Sequence, residues 1–340
     1  MKKIVFVISV LIAATALQAQ NVSGTAQAEK AMRDMHPGDS VPPLYEEENT
    51  DIGPQTILRP KKQPWVRASV DAQAFYTDNM LYSKNNQKDA GVAVTSLEAA
   101  LMTPPCVTAL ASYRAEIGYR HQFVNYFGHD DVLAERFVGP RPKHFDADDF
   151  DFDASTIFAN VSAQTKHYQF GAGVDLTRLY GFKPLRSDDY HEFYREVVPR
   201  WSVQRNFRVC DKSMFTLAYL GSYHFTHEER SPLLDAPSYF NVGLPSDRSE
   251  RWEHTFLAGY TMALPHNFAV QPFYRFQLND FVDADVYMIH TAGLSAGWYP
   301  CANFSLRGFV GYNWSDAADK QAVEYSKLDA GGGVNATFRF

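Results

Sequence analysis

Hydrophobic and polar residues alternate along most of the chain with a period of two. From Val66 to Tyr76 every second residue is alanine, valine or tyrosine, while Arg67, Asp71 and Gln73 lie at positions between them. The same alternation returns after residues 113 and 168. A β-strand points successive side chains to opposite faces, so the pattern indicates strands with one apolar and one polar face.

About twelve such segments can be counted, each about as long as a tilted membrane-spanning strand. They begin near residues 65, 90, 107, 153, 167, 193, 213, 251, 267, 287, 303 and 328. Connections after even-numbered segments are short, and those after odd-numbered segments are mostly longer, as in barrels with short periplasmic turns and long external loops. The sequence therefore predicts an all-β fold over residues 65–340, a closed antiparallel transmembrane β-barrel with up-and-down meander topology.

The N-terminal residues predict export. Lys2 and Lys3 precede an apolar run from Ile4 to Leu17, and the small Ala19 follows, so residues 1–19 have the order of a secretory signal peptide. No later stretch approaches the roughly 20 consecutive apolar residues of a membrane-spanning helix, which leaves strands as the membrane-spanning elements. Residues 20–64 are rich in proline and charge and predict a disordered periplasmic tail.

Composition and cysteine content narrow the class further. A hydrophobic fraction of 45% beside a mean hydropathy of −0.32 fits apolar residues that alternate with polar ones. A net charge of −7 argues against a nucleic-acid partner. Cys106, Cys210 and Cys301 are an odd number in or beside predicted short turns, so we expect three cysteines without a disulfide.

The end of the chain carries a recognisable pattern. Phe338 and Phe340 are two residues apart, and Val334 and Ala336 extend the same face. The opposite, inward face carries Asn335, Thr337 and Arg339. This segment resembles the C-terminal assembly signal of bacterial outer-membrane β-barrels, although Asn335 stands where that signal usually has glycine. Independently, a barrel in lipid must pair its first and last strands, because each unpaired backbone group costs several kcal/mol there.

The resemblance is to outer-membrane barrels as a class, covers residues 65–340 and reaches no single family. It implies location in the outer membrane, with the N-terminal tail and the C-terminus in the periplasm. The implied partners are outer-membrane lipid, lipopolysaccharide and, during biogenesis, the barrel-assembly machinery. No cofactor is expected.

Aromatic residues make up 14% of the chain, and many lie near predicted strand ends on the lipid-facing parity. Those toward the loops are Tyr76, Tyr223, Phe225, Trp252, Tyr312 and Trp314. Those toward the turns are Trp201, Trp298, Phe304 and Phe338. Two aromatic girdles at the membrane interfaces are therefore predicted.

Charged residues on the opposite parity are candidates for the barrel lumen, because a charge in mid-bilayer lipid costs about 2–4 kcal/mol. They are Arg67, Asp71, Arg114, Glu116, Arg120, Asp175, Glu196, Arg200, Arg275, Arg307 and Arg339. Two interpretations stay open at this point. The charges either pair across a filled interior or line a water path that favours anions.

Two further clusters raise the question of chemistry. Carboxylates in the longest predicted loop are weak candidates for a calcium site, namely Asp146, Asp148, Asp149, Asp151 and Asp153. Because the turn glycine of a calcium loop is missing, a solvated acidic loop that meets lipopolysaccharide through divalent ions is the favoured interpretation. Ser222 and His224 share an inward face, yet no motif of a known barrel hydrolase is recognisable, so no catalytic residue is assigned.

Three functions follow as hypotheses. The first is a porin-like passive channel for small solutes, suggested by the charged inward face and the glycine-rich eleventh and twelfth segments. The second is a non-conducting barrel for adhesion or envelope anchoring, suggested by the long loops and the tail. The third is an outer-membrane lipid hydrolase.

Overall fold

Twelve long strands form the body of the protein. The computed structural model describes residues 45–46, 59–60, 64–80, 87–128, 133–135, 143–145, 147–181, 190–210, 212–228, 250–282, 286–301, 303–317 and 325–340. The strands are β1 Val66–Thr77, β2 Ala90–Met102, β3 Ser112–Gly128, β4 Phe152–Gln164, β5 Tyr168–Gly181, β6 His191–Cys210, β7 Ser213–Glu228, β8 Arg251–Leu264, β9 Phe268–Phe281, β10 Tyr287–Cys301, β11 Phe304–Ala317 and β12 Ser326–Arg339.

The strands form one closed antiparallel sheet. Each pairs with the next in sequence, and β12 returns to pair with β1 from Asp329 opposite Thr77 to Arg339 opposite Arg67. At the seam the Phe340 carbonyl oxygen accepts a hydrogen bond from the Trp65 amide at 2.8 Å. Closure leaves no unpaired sheet edge, which is the condition for a β-structure in lipid. The predicted fold class, strand number and meander are confirmed.

The connections differ in length at the two ends of the barrel. At one end, the turn end, strands are joined through residues 103–111, 165–167, 211–212, 265–267 and 302–303, of which only the first is longer than three residues. At the other, the loop end, they are joined through 78–89, 129–151, 182–190, 229–250, 282–286 and 318–325. The predicted asymmetry between short and long connections is confirmed.

The third strand begins later than predicted. Residues Cys106–Val107 form only a two-residue strand beside β3, which itself starts at Ser112. Between them the Thr108 amide donates to the Ala111 carbonyl at 2.9 Å, and the Thr108 hydroxyl bonds the same segment. A tight turn therefore separates Cys106–Val107 from the barrel strand.

Minor elements lie outside the barrel sheet. Tyr45–Glu46 pairs with Arg59–Pro60, and Leu133–Glu135 pairs with Lys143–Phe145. The first pairing falls within the predicted disordered tail, most of which lies outside the described residues, as does the predicted signal peptide. No helix in the described part of the chain is long and apolar enough to cross a membrane.

Side chains on the two faces of the sheet have opposite character. Apolar residues of the outer face are about half exposed to the surroundings, including Ile117 at 54% and Phe256 at 50%. The inner face instead buries polar residues such as Gln277 and Thr261. A continuous apolar exterior is unfavourable in water and is stable in a hydrocarbon environment.

An apolar cluster fills the interior near the loop end. It contains Phe75, Met80, Ala90, Val92, Val94, Val124, Tyr126, Ala147, Phe152, Ala154, Leu179 and Tyr194, with Phe309 packed against it. Gly331 lies directly between Phe75 and Phe309 in the sheet, and the two rings are 5.9 Å apart across it. A Cβ at Gly331 would overlap Ala74 and Phe75, so the glycine makes room for the rings. This glycine therefore does not widen the lumen.

Candidate functional site: the barrel interior

A network of charged side chains lines the interior on the turn-end side of the apolar cluster. Arg67 on β1 donates from Nη2 to Glu98 Oε1 at 2.7 Å and lies 3.3 Å from Glu116 Oε2. Asn160 on β4 donates to the other oxygen of Glu116 at 3.0 Å. The carboxylates of Glu98 and Glu116 thereby link four adjacent strands, β1 to β4.

The network continues around the wall. Arg200 on β6 donates to Asn160 Oδ1 at 2.7 Å and to Asp175 Oδ1 at 3.1 Å. We call Arg67, Glu98, Glu116, Asn160, Asp175 and Arg200 the turn-end network. Its side chains keep contact with solvent, with Arg200 41% exposed and Arg67 26% exposed. It is therefore a polar wall open to water.

A second pair stabilises the seam of the barrel. Arg307 on β11 reaches across β12 to Asp71 on β1 at 2.5 Å, and Asn335 on β12 donates to the second Asp71 oxygen at 3.1 Å. The Arg307 side chain is only 4% exposed. Both charges were predicted to face the lumen, and here they form a packed ion pair that joins the first and last strands.

A buried ion cluster lies on β6, β7 and β8 near the loop end. His224 Nδ1 is 3.0 Å from Glu196 Oε2, and its Nε2 is 3.5 Å from Glu253 Oε2. The Tyr194 hydroxyl donates to Glu196 Oε2 at 2.9 Å, and Arg251 interacts electrostatically with both carboxylates. Arg251, Tyr194 and His224 are each 1% exposed. We call these five residues the loop-end ion cluster.

A further buried chain of polar groups crosses β9 to β12. Arg275 donates to the Thr291 hydroxyl at 3.1 Å, which donates to Asn313 at 2.7 Å, and Asn313 donates to Asp329 at 3.0 Å. Lys327 lies 3.3 Å from Asp329 and is 1% exposed. On this side the interior is packed with paired polar groups.

Three predicted lumen residues lie outside these networks. Arg120 faces inward and places its guanidinium carbon 5.8 Å from the centre of the Phe158 ring. Arg114 is partly exposed on the same strand, and Arg339 is exposed at the turn-end rim opposite Arg67. Each has the inward parity of its strand.

The Ser222 and His224 side chains meet inside the barrel. Ser222 Oγ is 3.2 Å from His224 Nε2, and His224 Nδ1 is 3.0 Å from Glu196, the atom order of a hydrolytic triad. Glu253 competes for the same Nε2 atom at 3.5 Å, and His224 is buried within the loop-end ion cluster. The arrangement faces the interior and not the acyl chains of the membrane.

The acidic segment before β4 bonds to protein groups where it is described. Asp151 accepts a hydrogen bond from the Tyr126 amide at 2.6 Å, and Asp153 accepts one from the Tyr190 hydroxyl at 2.6 Å. Burial, together with the bond to Asp153, raises the pKa of the Tyr190 phenol. Asp148 is exposed, Asp146 lies outside the described residues, and so does the Asp149 side chain. Within the described residues no group of three His, Cys, Asp or Glu side chains is placed to hold a metal.

The predicted aromatic girdles are largely visible on the outer face. Tyr223 contacts Trp252 and Phe225 toward the loops, and Phe268 stacks on Trp298 toward the turns. One assignment changes: Trp201 was predicted for the turn end, but its ring lies 6.1 Å from Trp252 of the loop-end girdle. Strand β6 runs for 20 residues and continues nine residues past Trp201 to Cys210, so Trp201 lies at mid-strand and not at the turn end. All three cysteines are described, exposed and without a disulfide.

Several charged or polar residues of the interior are absent from the lumen residues predicted from the sequence. Glu98 was overlooked because β2 is apolar on both faces, yet it shares parity with Ser96 and Ala100. Asn160, Arg251, Glu253, Lys327 and Asp329 also have inward parity. Strict alternation from a known strand start would have found them. Which of them touch depends on the stagger between strands.

The closed ladder, apolar exterior and polar interior define this chain as a transmembrane β-barrel of the outer-membrane class. No protein-family model matches the sequence, and no curated protein matches it. An outer membrane channel from Pseudomonas putida F1 is 11% identical with a TM-score of 0.48, covering 82% of this chain and 97% of its own. The β domain of the Bordetella autotransporter BrkA is 12% identical with a TM-score of 0.45, covering 80% and 99%. The translocator domain of NalP from Neisseria meningitidis is 10% identical with a TM-score of 0.43, covering 95% and 99%. Similarity of this size concerns the fold alone.

Proposed function

We propose that the protein is a narrow, porin-like passage for small polar solutes that is constricted at its loop end by the apolar cluster. The observation that carries the proposal is the turn-end network, whose charged side chains face the interior and remain in contact with water. Side chains that only held the barrel shut would be expected to be as buried as Arg307, at 4% exposure, whereas Arg200 is 41% exposed.

The wall of this passage has nearly balanced charge. The inward side chains of β1 to β6 from this end to mid-barrel carry five arginines and four carboxylates: Arg67, Arg114, Arg120, Arg200, Arg208, Glu98, Glu116, Asp175 and Asp71, the last of which pairs with Arg307. Rings of charge set the ion preference of a pore. We therefore expect weak selectivity that favours anions.

Conductance tests the proposal. Purified wild-type protein in planar bilayers should give reproducible small conductance steps. The double substitution Glu98→Gln and Glu116→Gln should shift the reversal potential in a salt gradient toward anions, since two negative charges leave the wall. The matched control is Asp316→Asn, which removes a negative charge from the outer face and should leave the reversal potential unchanged. If the double substitution leaves the reversal potential unchanged, the result would contradict the proposal that ions pass along this wall.

A non-conducting barrel is the second candidate, and the apolar cluster at the loop end favours it. Replacing Phe75 and Tyr126 by alanine would open that cluster. A constricted passage predicts higher conductance in this double variant than in wild type, while a barrel for adhesion or anchoring predicts none in either protein. Heat-modifiable migration in detergent gels confirms that each variant has folded into a closed barrel.

We also propose that the N-terminal tail and the C-terminus lie in the periplasm and that the barrel-assembly machinery recognises the terminal strand. In support, Trp65 and Phe340 both lie at the turn end, the end with short connections. An epitope inserted in residues 20–64 should resist protease in intact cells and become accessible after the outer membrane is permeabilised. Cleavage in intact cells would contradict this orientation.

Lipid hydrolysis stays a prediction, and it can be tested at Ser222, the serine nearest to His224 in the barrel interior. A serine that acts as a nucleophile would react with a fluorophosphonate probe in the folded protein, and Ser222→Ala would abolish the labelling. The passage proposal expects no labelling of Ser222, because His224 is held in a buried ion cluster.

A further inference from the structure

A row of polar and basic side chains crosses five adjacent strands on the outer face of the barrel. Direct cross-strand pairs connect its members in order: His121, Ser155, Arg178, Arg195 and His227. We call these five residues the outer basic row. Because these residues are paired in register, their side chains lie side by side along a row that follows the tilt of the strands around the barrel.

The outer basic row lies close to the loop end of its strands, beside the apolar part of the outer face. Ser155 is three residues from the loop end of β4, and Arg178 is three residues from that of β5. Two residues closer to the turn end, the same strands present an apolar row on the outer face: Tyr119, Ile157, Leu176, Val197 and Phe225. The outer basic row therefore borders the apolar band, at the level of lipid headgroups. Charges there cost about 0–1 kcal/mol, far less than at mid-bilayer.

The charges within the row are incompletely balanced. Arg178 and Arg195 stand directly opposite each other, an arrangement that is unfavourable for like charges. Glu192 lies between them, 3.5 Å from Arg178 and 3.4 Å from Arg195, so one carboxylate serves two guanidinium groups. Both arginine side chains remain at least 40% exposed. Among the described residues of this face, Asp153 is a second carboxylate, and it accepts a hydrogen bond from Tyr190.

The rest of the row supplies hydrogen-bond donors. His121 Nδ1 is 2.9 Å from Ser155 Oγ, and the Tyr119 hydroxyl lies 3.0 Å from Ser155 Oγ and 3.1 Å from His121 Nδ1. Two guanidinium groups beside clustered hydroxyls suit a phosphate, which has several acceptor oxygens and binds arginine through paired hydrogen bonds.

We propose that the outer basic row is a binding site for the phosphate groups of outer-leaflet lipid. Arg178 and Arg195 contribute the charge, and the hydroxyl groups beside Arg178 orient the headgroup. The site is independent of the passage proposed above, because its side chains face away from the interior and lipid binding is measured without conductance. It rests on the orientation proposed above, in which the loop end faces outward, and the protease test of that orientation is separate from the binding test.

The test uses bisphosphorylated lipid A as the probe, counted on the folded protein by native mass spectrometry from detergent micelles. The double substitution Arg178→Gln and Arg195→Gln should weaken retention on the order of tenfold, since two charge-assisted contacts are lost. The matched control is Arg205→Gln on the same strand as Arg195. Arg205 also faces outward, but at the turn end, where it lies over Tyr168 and Phe207. The Arg205→Gln variant should retain lipid A within about twofold of the wild-type protein.

Two further measurements distinguish binding of the lipid phosphate groups from binding of the acyl chains and from binding of free phosphate. Lipid A without its phosphates should bind wild type and the double variant equally weakly, and inorganic phosphate at the same concentration should not displace the intact lipid. If the double variant folds poorly, Arg195→Gln alone replaces it, with folding checked by heat-modifiable migration. Equal retention by wild type and the arginine variants, or unweakened binding of the dephosphorylated lipid, would overturn the proposal.

Discussion

The two ends of the barrel interior are lined by side chains of different kinds that differ in their contact with water. At the loop end, an apolar cluster and the loop-end ion cluster bury their side chains almost completely, with His224 and Leu179 each 1% exposed. At the turn end, the turn-end network makes similar ion pairs, yet Arg200 and Arg67 stay in contact with water. Ion pairs of similar geometry contribute differently to the free energy of unfolding at the two ends. A buried charge that loses its partner cannot be hydrated instead, whereas an exposed one can.

The largest expected effect comes from breaking a buried ion pair. Glu196→Gln leaves His224 and Arg251 without this carboxylate and should lower the free energy of unfolding by about 3–5 kcal/mol. Glu98→Gln at the turn end is the matched control and should cost about 1 kcal/mol or less, since its pair is partly hydrated. Urea titration of the protein in lipid vesicles measures both. Equal losses would contradict the difference between the two ends.

Removing apolar volume at the loop end comes next. Leu179→Ala leaves a cavity inside the apolar cluster and should cost about 2–4 kcal/mol of unfolding free energy. Leu176→Ala on the same strand faces lipid, whose acyl chains fill the vacated space, so about 1 kcal/mol is expected. The same vesicle assay compares them. A loss at Leu179 as small as that at Leu176 would contradict tight packing of the cluster.

Adding a methyl group beside the cluster has a smaller effect. Gly331→Ala places a Cβ against Ala74 and Phe75 and should cost about 1–3 kcal/mol through overpacking. At Gly308 the nearest atom to an added Cβ is the Gly331 carbonyl oxygen at 3.7 Å, so Gly308→Ala should change the unfolding free energy by less than about 0.5 kcal/mol. Tolerance of Gly331→Ala would show that the rings of Phe75 and Phe309 can move apart.

The smallest effect concerns the loop-end rim. Tyr190→Phe removes the hydrogen bond to Asp153 and should cost about 0.5–1 kcal/mol at neutral pH. Because the pKa of this phenol is raised in the folded protein, its contribution is present below the ordinary value of 10.0 and falls as the pH rises above it. The variant should therefore lose less stability than wild type between neutral and strongly alkaline pH. A parallel pH dependence of the two proteins would contradict this assignment.

Most of the architecture could be predicted because it depends on local patterns. Eleven of the twelve strand starts fall within about two residues of their predicted positions, since alternation sets the face of each side chain and turn residues mark the ends. The exception, β3, is preceded by Cys106–Val107, which continues the apolar pattern through a turn. The inward parity of Arg67, Asp71, Glu196 and Arg307 was likewise predicted. Their contacts were not, because the pairing of Arg307 with Asp71 crosses 236 residues of sequence.

The alternation of residue types along the chain was enough to predict that the chain forms strands and which side chains face lipid. These follow from a period of two and from the cost of unpaired backbone in hydrocarbon. Which inward charges are buried and which stay hydrated depends on how the strands are staggered in three dimensions. The stagger of twelve strands around a closed ring brings Phe75 and Phe309 together over Gly331 at one end and leaves Arg200 in contact with water at the other.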